Sequence, residues 1–462
     1  MRMSLETPVR HIVVPALFAA LAACGGPPPA PAPVKSEAAP SAAADSPAAT
    51  AKAASASTAS KPGAATAATA HRTTFDAQLA IVDAEIAARK KVAERNGRSG
   101  LAFGMVASLY MTRARLSGDW DDYAAAEENV NQAFAVSKTG ETGPFMVRAR
   151  LNYTLHRLDR VDEDFAAASG LPTNSAATKR SNELFAANLA FQRGQYEAAK
   201  KALDEHAKGE PTLSGRASLA LYHWKSGNFD EAERLYLEAL EAYDGKATEP
   251  VAWVHLQLGL MDLDRGRWDD ALAHYRQGAS LIRGYWLIEE HMAEILTLPG
   301  KTDEAKALYQ QIIDRTGNPE FMDAMAEIHA AAGEKEQAEQ WAAKARAEFE
   351  TQLKQFPEAA YGHALGHFLA HGTDPERTVQ MAERNHALRP NADAKALLAE
   401  AYLAAGRLPD ADRLIEEALA TPMRSADLHA IAAQIKAAVG DKGAAKAQRK
   451  AAKAINPKIE LD

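Results

Sequence analysis

The chain has 462 residues, 47% of them hydrophobic and 25% charged, with a formal net charge of −8. Such a chain can bury a large core. Its acidic and basic residues are interspersed, with no basic stripe to neutralise phosphates, which argues against a nucleic-acid partner. The single cysteine, Cys24, excludes an intrachain disulfide.

The first element in chain order is a leader. Arg2 and Arg10 supply a basic start, "HIVVPALFAA" is a short apolar run, and "LAAC" follows at Leu21–Cys24. This order predicts a secretory signal over residues 1–23, its apolar run too short to span a membrane by itself. Leu21–Cys24 resembles the lipobox of bacterial lipoproteins. The resemblance implies cleavage before Cys24, lipidation of its thiol, and a chain anchored to a membrane of the cell envelope. Gly25 stands where many such proteins carry the aspartate that marks inner-membrane retention, which points to the outer membrane. Residues 24–71 are nearly all Ala, Pro, Ser, Thr and Gly, with almost nothing large and apolar to bury. They are expected to be a disordered tether, with a root-mean-square span of roughly 40 Å.

Residues 72–98 predict a capping helix. Phe75, Leu79, Val82 and Ile86 recur at helical spacing, and Thr74 is placed to cap it. Self-similarity dominates from there to about Pro457, and no run has the alternation of a strand. A glycine followed five residues later by alanine recurs as Gly194/Ala199, Gly227/Ala232, Gly266/Ala271, Gly300/Ala305, Gly333/Ala338, Gly406/Ala411 and Gly440/Ala445. Successive glycines are 33, 39, 34, 33, 73 and 34 residues apart. Glycine closes a first helix because a left-handed cap costs it nothing. Alanine lets two helices cross closely, and Phe229, Tyr236, Trp268, Tyr275 and Tyr309 fill the space to the next unit. Leu258-Gly259 and Leu365-Gly366 supply a small contact inside first helices, while Pro211, Pro390 and Pro457 stop second helices.

With that period and those residues, 99–457 resembles the tetratricopeptide-repeat family. The implied fold is all-α, a right-handed superhelical solenoid of helix-turn-helix repeats, preceded by the tether and followed by a tail at 458–462. Ten units are counted. The eighth fits if Thr373 is inserted, which puts Thr378 in the alanine position. The first two are degenerate, with Tyr123 in place of alanine in one, and His156 and Val161 in place of glycine and alanine in the other. Units of this kind bury their apolar faces against neighbours, leaving a concave groove lined by first helices.

In this family the inward positions are the second, fifth, ninth, twelfth and thirteenth of each unit. Counted back from the turn glycines, they place Leu256 and Leu260, then Glu290 and Glu294, then Asp323 and Glu327, then His363, His367 and His371, then Glu400 along the groove. The lining thus passes from apolar to acidic to histidine-rich. One reading is a solvated wall with no dedicated ligand, since glutamate is a good helix former. A second is a cationic or polar peptide drawn by the carboxylates. The family's carboxylate clamp for a chaperone C-terminus uses Lys, Asn and Arg at these positions, so that partner is not expected. A third is a divalent metal such as zinc at the corner of His363, His367, Asp323 and Glu327. His371 is excluded from sharing an ion with His363, because eight residues of helix separate their backbones by about 12 Å. A fourth needs no ion: histidines beside carboxylates would charge as pH falls through about 6.5. His223 and His329 fall at packing positions, and His386 lies near a helix C-terminus.

The chain shows no nucleophile elbow, phosphate loop or dinucleotide fingerprint. The expected function is therefore a non-enzymatic scaffold, anchored in the envelope, that binds a protein or peptide and helps to assemble or organise an envelope complex. A metal-binding protein is the alternative.

Overall fold

The structure is a computed structural model that describes residues 73–95, 97, 99–137, 144–171, 175–298 and 300–461. The leader, Cys24 and the tether lie outside the described residues. A helix at Phe75–Arg95 caps the array, and Thr74 Oγ1 accepts a hydrogen bond from the Ala77 N–H at 3.2 Å. Ten helix pairs follow. Units 1 to 5 are Gly100–Ser117 with Asp121–Val136, Phe145–Thr154 with Val161–Ser169, Ala176–Gln192 with Tyr196–Ala207, Leu213–Lys225 with Phe229–Glu241, and Glu249–Asp264 with Trp268–Leu281. Units 6 to 10 are Trp286–Thr297 with Thr302–Thr316, Pro319–Ala331 with Lys335–Gln355, Pro357–His371 with Pro375–Leu388, Ala392–Ala404 with Leu408–Leu419, and Ala426–Ala438 with Lys442–Ile455. The chain is an all-α solenoid.

The glycine pattern acts as its chemistry requires. All seven turn glycines have positive φ. The partner alanines Ala199, Ala232, Ala271, Ala305, Ala411 and Ala445 are buried, while Ala338 is half-buried. Tyr236, Tyr275 and Tyr309 are fully buried between units, and a Cβ on Gly259 would fall 2.2 Å from the Tyr275 ring. Gly366 has open space instead, so the expected small contact in unit 8 is absent there. The close approach belongs to Gly362, whose Cβ would meet Arg389 Nη2 at 2.8 Å. Gly372 is not left-handed either, and unit 8 turns through Asp374, whose side chain accepts from the Arg377 N–H. In unit 2 His156 takes the turn's left-handed conformation, at φ 60°. Its Nε2 lies 3.2 Å from Arg389 Nη1, a contact a glycine could not make.

Two expectations are corrected. A two-residue parallel pairing exists between β1, Thr73–Thr74, and β2, Ile282–Arg283. And units do not pack on sequence neighbours alone. The early units also meet units about 200 residues further on, along a continuous seam. Phe75 stacks on Tyr285, and Trp286 Nε1 donates to Leu116 O at 2.6 Å. Asn391 Nδ2 donates to Gln192 O, the Ala392 N–H donates to Tyr196 Oη at 2.7 Å, and the Arg424 N–H donates to Lys225 O at 2.8 Å. The apolar core spans the seam too, since Ala392 and Met423 join the cluster built on units 3 to 7. The solenoid therefore closes on itself after about six units, one coil resting on the next.

Two glycines isolate the seam experimentally. Gly194 and Gly406 make the same left-handed turn, at φ 69° and 74°. A Cβ on Gly194 would sit 2.6 Å from Pro390 O across the seam, whereas on Gly406 it meets nothing within 4 Å. Gly406→Ala is expected to cost about 1–2 kcal/mol of backbone strain. Gly194→Ala is expected to lose about 1–3 kcal/mol more through overpacking. Equal losses in parallel urea titrations would show that the seam contributes nothing.

Candidate functional site

The inward faces of the first helices hold two clusters of ionisable groups. The first lies in units 6 to 8. On Trp286–Thr297, Glu290 and His291 are each 1% exposed. His291 Nε2 lies 2.8 Å from Glu290 Oε1, and Nδ1 lies 3.0 Å from Glu294 Oε2. Burial opposes a charged ring, but the two carboxylates outweigh it and raise the His291 pKa to about 10. Burial pushes Glu290 up to about 6, against the pull of His291. The Tyr275 ring stacks on the imidazole at 5.6 Å.

On the next two first helices, His363 Nδ1 meets Glu320 Oε1 and His367 Nδ1 meets Asp323 Oδ1, both at 2.8 Å. His367 is 2% exposed, and burial raises the Asp323 pKa against the pull of that histidine. His371 follows one turn on, its ring centroid 5.2 Å from that of His367, with its pKa lowered by burial. The Nε2 atoms of His367 and His371 are buried and meet no hydrogen-bond partner among the described residues. Each such atom costs about 1–3 kcal/mol of desolvation.

The second cluster lies at the seam, where the C-terminal ends of first helices in units 4 and 5 meet the N-terminal ends of those in units 9 and 10. Lys225 Nζ approaches Asp264 Oδ2 at 3.5 Å and sits 3.8 Å above the Trp224 ring, while Trp224 Nε1 donates to Asp264 Oδ2 at 2.9 Å. Asp427 and Asp393 face the same lysine. Burial, joined by the charges of Asp264, Glu400 and Asp393 and opposed by Lys225, raises the Asp427 pKa to about 7. Burial also raises Asp393, opposed by Lys225 and Arg389.

This geometry redraws the expected groove. Leu256 and Leu260 are buried, as are Glu290 and His367. Glu327, His371 and Glu400 are half-buried, and the side chains of Glu294 and Asp323 are 14% and 13% exposed. The expected lining is therefore split: Leu256, Leu260, Glu290 and His367 are packed away, while His363, Glu327, His371 and Glu400 keep partial exposure. The four-residue metal corner also changes membership. His363 is drawn off by Glu320, while Asp323, His367 and His371 each place a ligand atom within 4.8 Å of the others. His291 falls between the inward positions, so the repeat spacing does not single it out. Glu320, Asp393 and Asp427 occupy second places and Lys225 and Asp264 thirteenth places, so the family's full inward set contains them. Of the remaining histidines, His223 is half-buried with its pKa lowered by burial, His386 is shifted likewise, and His329 pairs with Glu334.

Models of the tetratricopeptide repeat match residues 212–283, 319–344 and 392–417. No curated protein matches the chain. Among solved structures it is similar to a chain of Naa15/Naa10 bound to HypK-THB, at 15% identity over 79% of this chain and 65% of that one, with a TM-score of 0.26. It is also similar to the human IFIT1 dimer with m7Gppp-AAAA, at 12% identity, 77% and 89% coverage and a TM-score of 0.41. A tetratricopeptide repeat protein from Parabacteroides merdae matches at 17% identity, 53% and 93% coverage and a TM-score of 0.33.

Proposed function

We propose that this tetratricopeptide-repeat solenoid is a lipid-anchored scaffold of the bacterial cell envelope, held through Cys24, that takes a cationic polypeptide partner on its inward face and helps to organise an envelope complex. The observation that carries the choice of partner is the seam cluster. Asp264, Asp393 and Glu400 all push the Asp427 carboxyl up against the pull of Lys225, with Arg389 acting beside Lys225 at Asp393, so the cluster is acidic on balance. A partner's Lys or Arg side chain would relieve that repulsion, and desolvated surroundings strengthen the attraction. The "LAAC" sequence and the Ala/Pro/Ser-rich stretch after it support the anchor and the stand-off from the membrane.

The test is a crosslinking pull-down from envelope extracts with the full chain. The double variant Asp393→Lys/Glu400→Lys is compared with a control reversing exposed outer-face residues, Asp269→Lys/Glu304→Lys. The inward variant is expected to lose its partners and the control to keep them. Partners unchanged by the inward variant, in a protein that circular dichroism shows to be folded, would sink the reading.

A further inference from the structure

We propose that Asp323, His367 and His371 form a binding site for a divalent transition-metal cation of the zinc class, one that ties unit 7 to unit 8. Asp323 comes from the first helix of unit 7 and the two histidines from the first helix of unit 8. Nothing in this inference depends on the partner reading above.

The spacing comes first. His367 and His371 are four residues apart, so they lie one above the other on a single helix face. Asp323 reaches across from the neighbouring helix to His367 Nδ1 at 2.8 Å. One ligand atom from each of the three lies within 4.8 Å of the other two. Tetrahedral zinc, with bonds of about 2.0–2.2 Å, would hold its ligand atoms roughly 3.4 Å apart. The contraction needed is within reach of side-chain rotation, and His371 is the last residue of its helix.

The second observation is independent of spacing. His371 Nε2 is buried yet has no hydrogen-bond partner among the described residues, and the Asp323 carboxylate is near enough to act on the charge of that ring. Protein interiors rarely leave such an atom unmatched, and here it falls in one cluster with the Asp323 carboxylate and the His367 Nδ1 that faces it, three donors for one cation. Neutral imidazole nitrogens with one carboxylate suit zinc, nickel or cobalt and do not suit calcium or magnesium, which take oxygen.

The other histidine-carboxylate cluster sharpens the distinction. Glu290, His291 and Glu294 also bring ligand atoms within 4.8 Å. There both ring nitrogens of His291 face carboxylates, at 2.8 and 3.0 Å. A cation there would have one imidazole and two carboxylates that already compensate that ring, whereas Asp323, His367 and His371 offer two imidazoles. His363 is also outside the proposed site, since its Nδ1 faces Glu320 and it is not one of the residues whose ligand atoms converge.

The experiment uses the full chain, stripped with a chelator, dialysed, and titrated with zinc by calorimetry, with cobalt substitution to report tetrahedral coordination by its visible absorption. The wild-type chain is expected to bind one equivalent at this site. His371→Gln and Asp323→Asn are each expected to weaken it by ten-fold or more, and His363→Gln to leave it unchanged. His371 is half-buried at a helix end, so its variant is expected to fold, which circular dichroism checks. Three results would each overturn the site: no saturable uptake by the wild type, uptake by folded His371→Gln equal to wild type, or a loss in His363→Gln as large as that in His371→Gln.

Discussion

His291→Leu is expected to destabilise the protein by about 3–5 kcal/mol, the cost of stranding a buried charge by removing its partner. His291 and Glu290 are each 1% exposed, and no water reaches them to replace a lost counter-ion. Leucine fills much of the imidazole volume and keeps the apolar contact with Tyr275, so a cavity is not the main loss. What remains is Glu290, whose pKa burial already raises to about 6 with the histidine present. Without it, the carboxyl must take up a proton at neutral pH or stay charged in a dry site. The double variant Glu290→Gln/His291→Leu removes both charges and is expected to recover more than half of the loss. The pH dependence has a definite sign. A histidine raised from 6.5 to about 10 gives stabilisation that is complete below pH 6.5 and lost as pH rises through 10. The wild type should therefore lose stability on going from pH 7 to pH 10.5, and His291→Leu should lose less. Urea titrations followed by circular dichroism at the two pH values read both effects. A loss below 1 kcal/mol for His291→Leu would mean that the charged triad is not what holds unit 6.

The repeat was legible because it rests on local rules. Each turn needs a residue tolerant of positive φ, and each crossing needs a small one, so Gly194 to Gly440 mark their turns without reference to anything distant. The same logic explains where the reading strained. His156 adopts φ 60° against its own preference because its ring is needed against Arg389, a partner 233 residues away. Gly366 looks like the family's small contact, yet Gly362 makes the close approach, since Arg389 lies on that side. The seam itself is set by small rotations accumulated over about six units, and no single unit encodes that sum. The places of Glu290, Glu294, Asp323, Glu327 and His367 on their first helices were legible by counting back from the turns. Their burial was not, because it depends on residues between the inward places and on the seam.

Asp427→Asn is expected to tighten the seam at pH 8 and leave it unchanged at pH 4. An ordinary aspartate titrates near 3.8, whereas burial and the carboxylates of Asp264, Glu400 and Asp393 raise Asp427 to about 7. The folded state therefore holds this proton more tightly than the unfolded chain does. That raised pKa contributes stability that is complete below about pH 4 and lost as pH rises through 7. A shift of this size would correspond to about 4 kcal/mol, and partial solvation of the half-buried side chain reduces the expected effect to about 1–2 kcal/mol. Asparagine keeps the shape and cannot ionise, so the penalty paid by the wild type above pH 7 disappears. The effect should be local, because Asp427 sits two residues beyond Ser425 at the start of the last unit, beside the Arg424 N–H to Lys225 O bond. Hydrogen exchange at the Arg424 and Ala392 amides, corrected for intrinsic rates, should speed up between pH 5 and pH 8 in the wild type. In Asp427→Asn it should stay level. Equal acceleration in both proteins would place the seam's pH sensitivity elsewhere, and acceleration in neither would mean that Lys225 already neutralises the cluster.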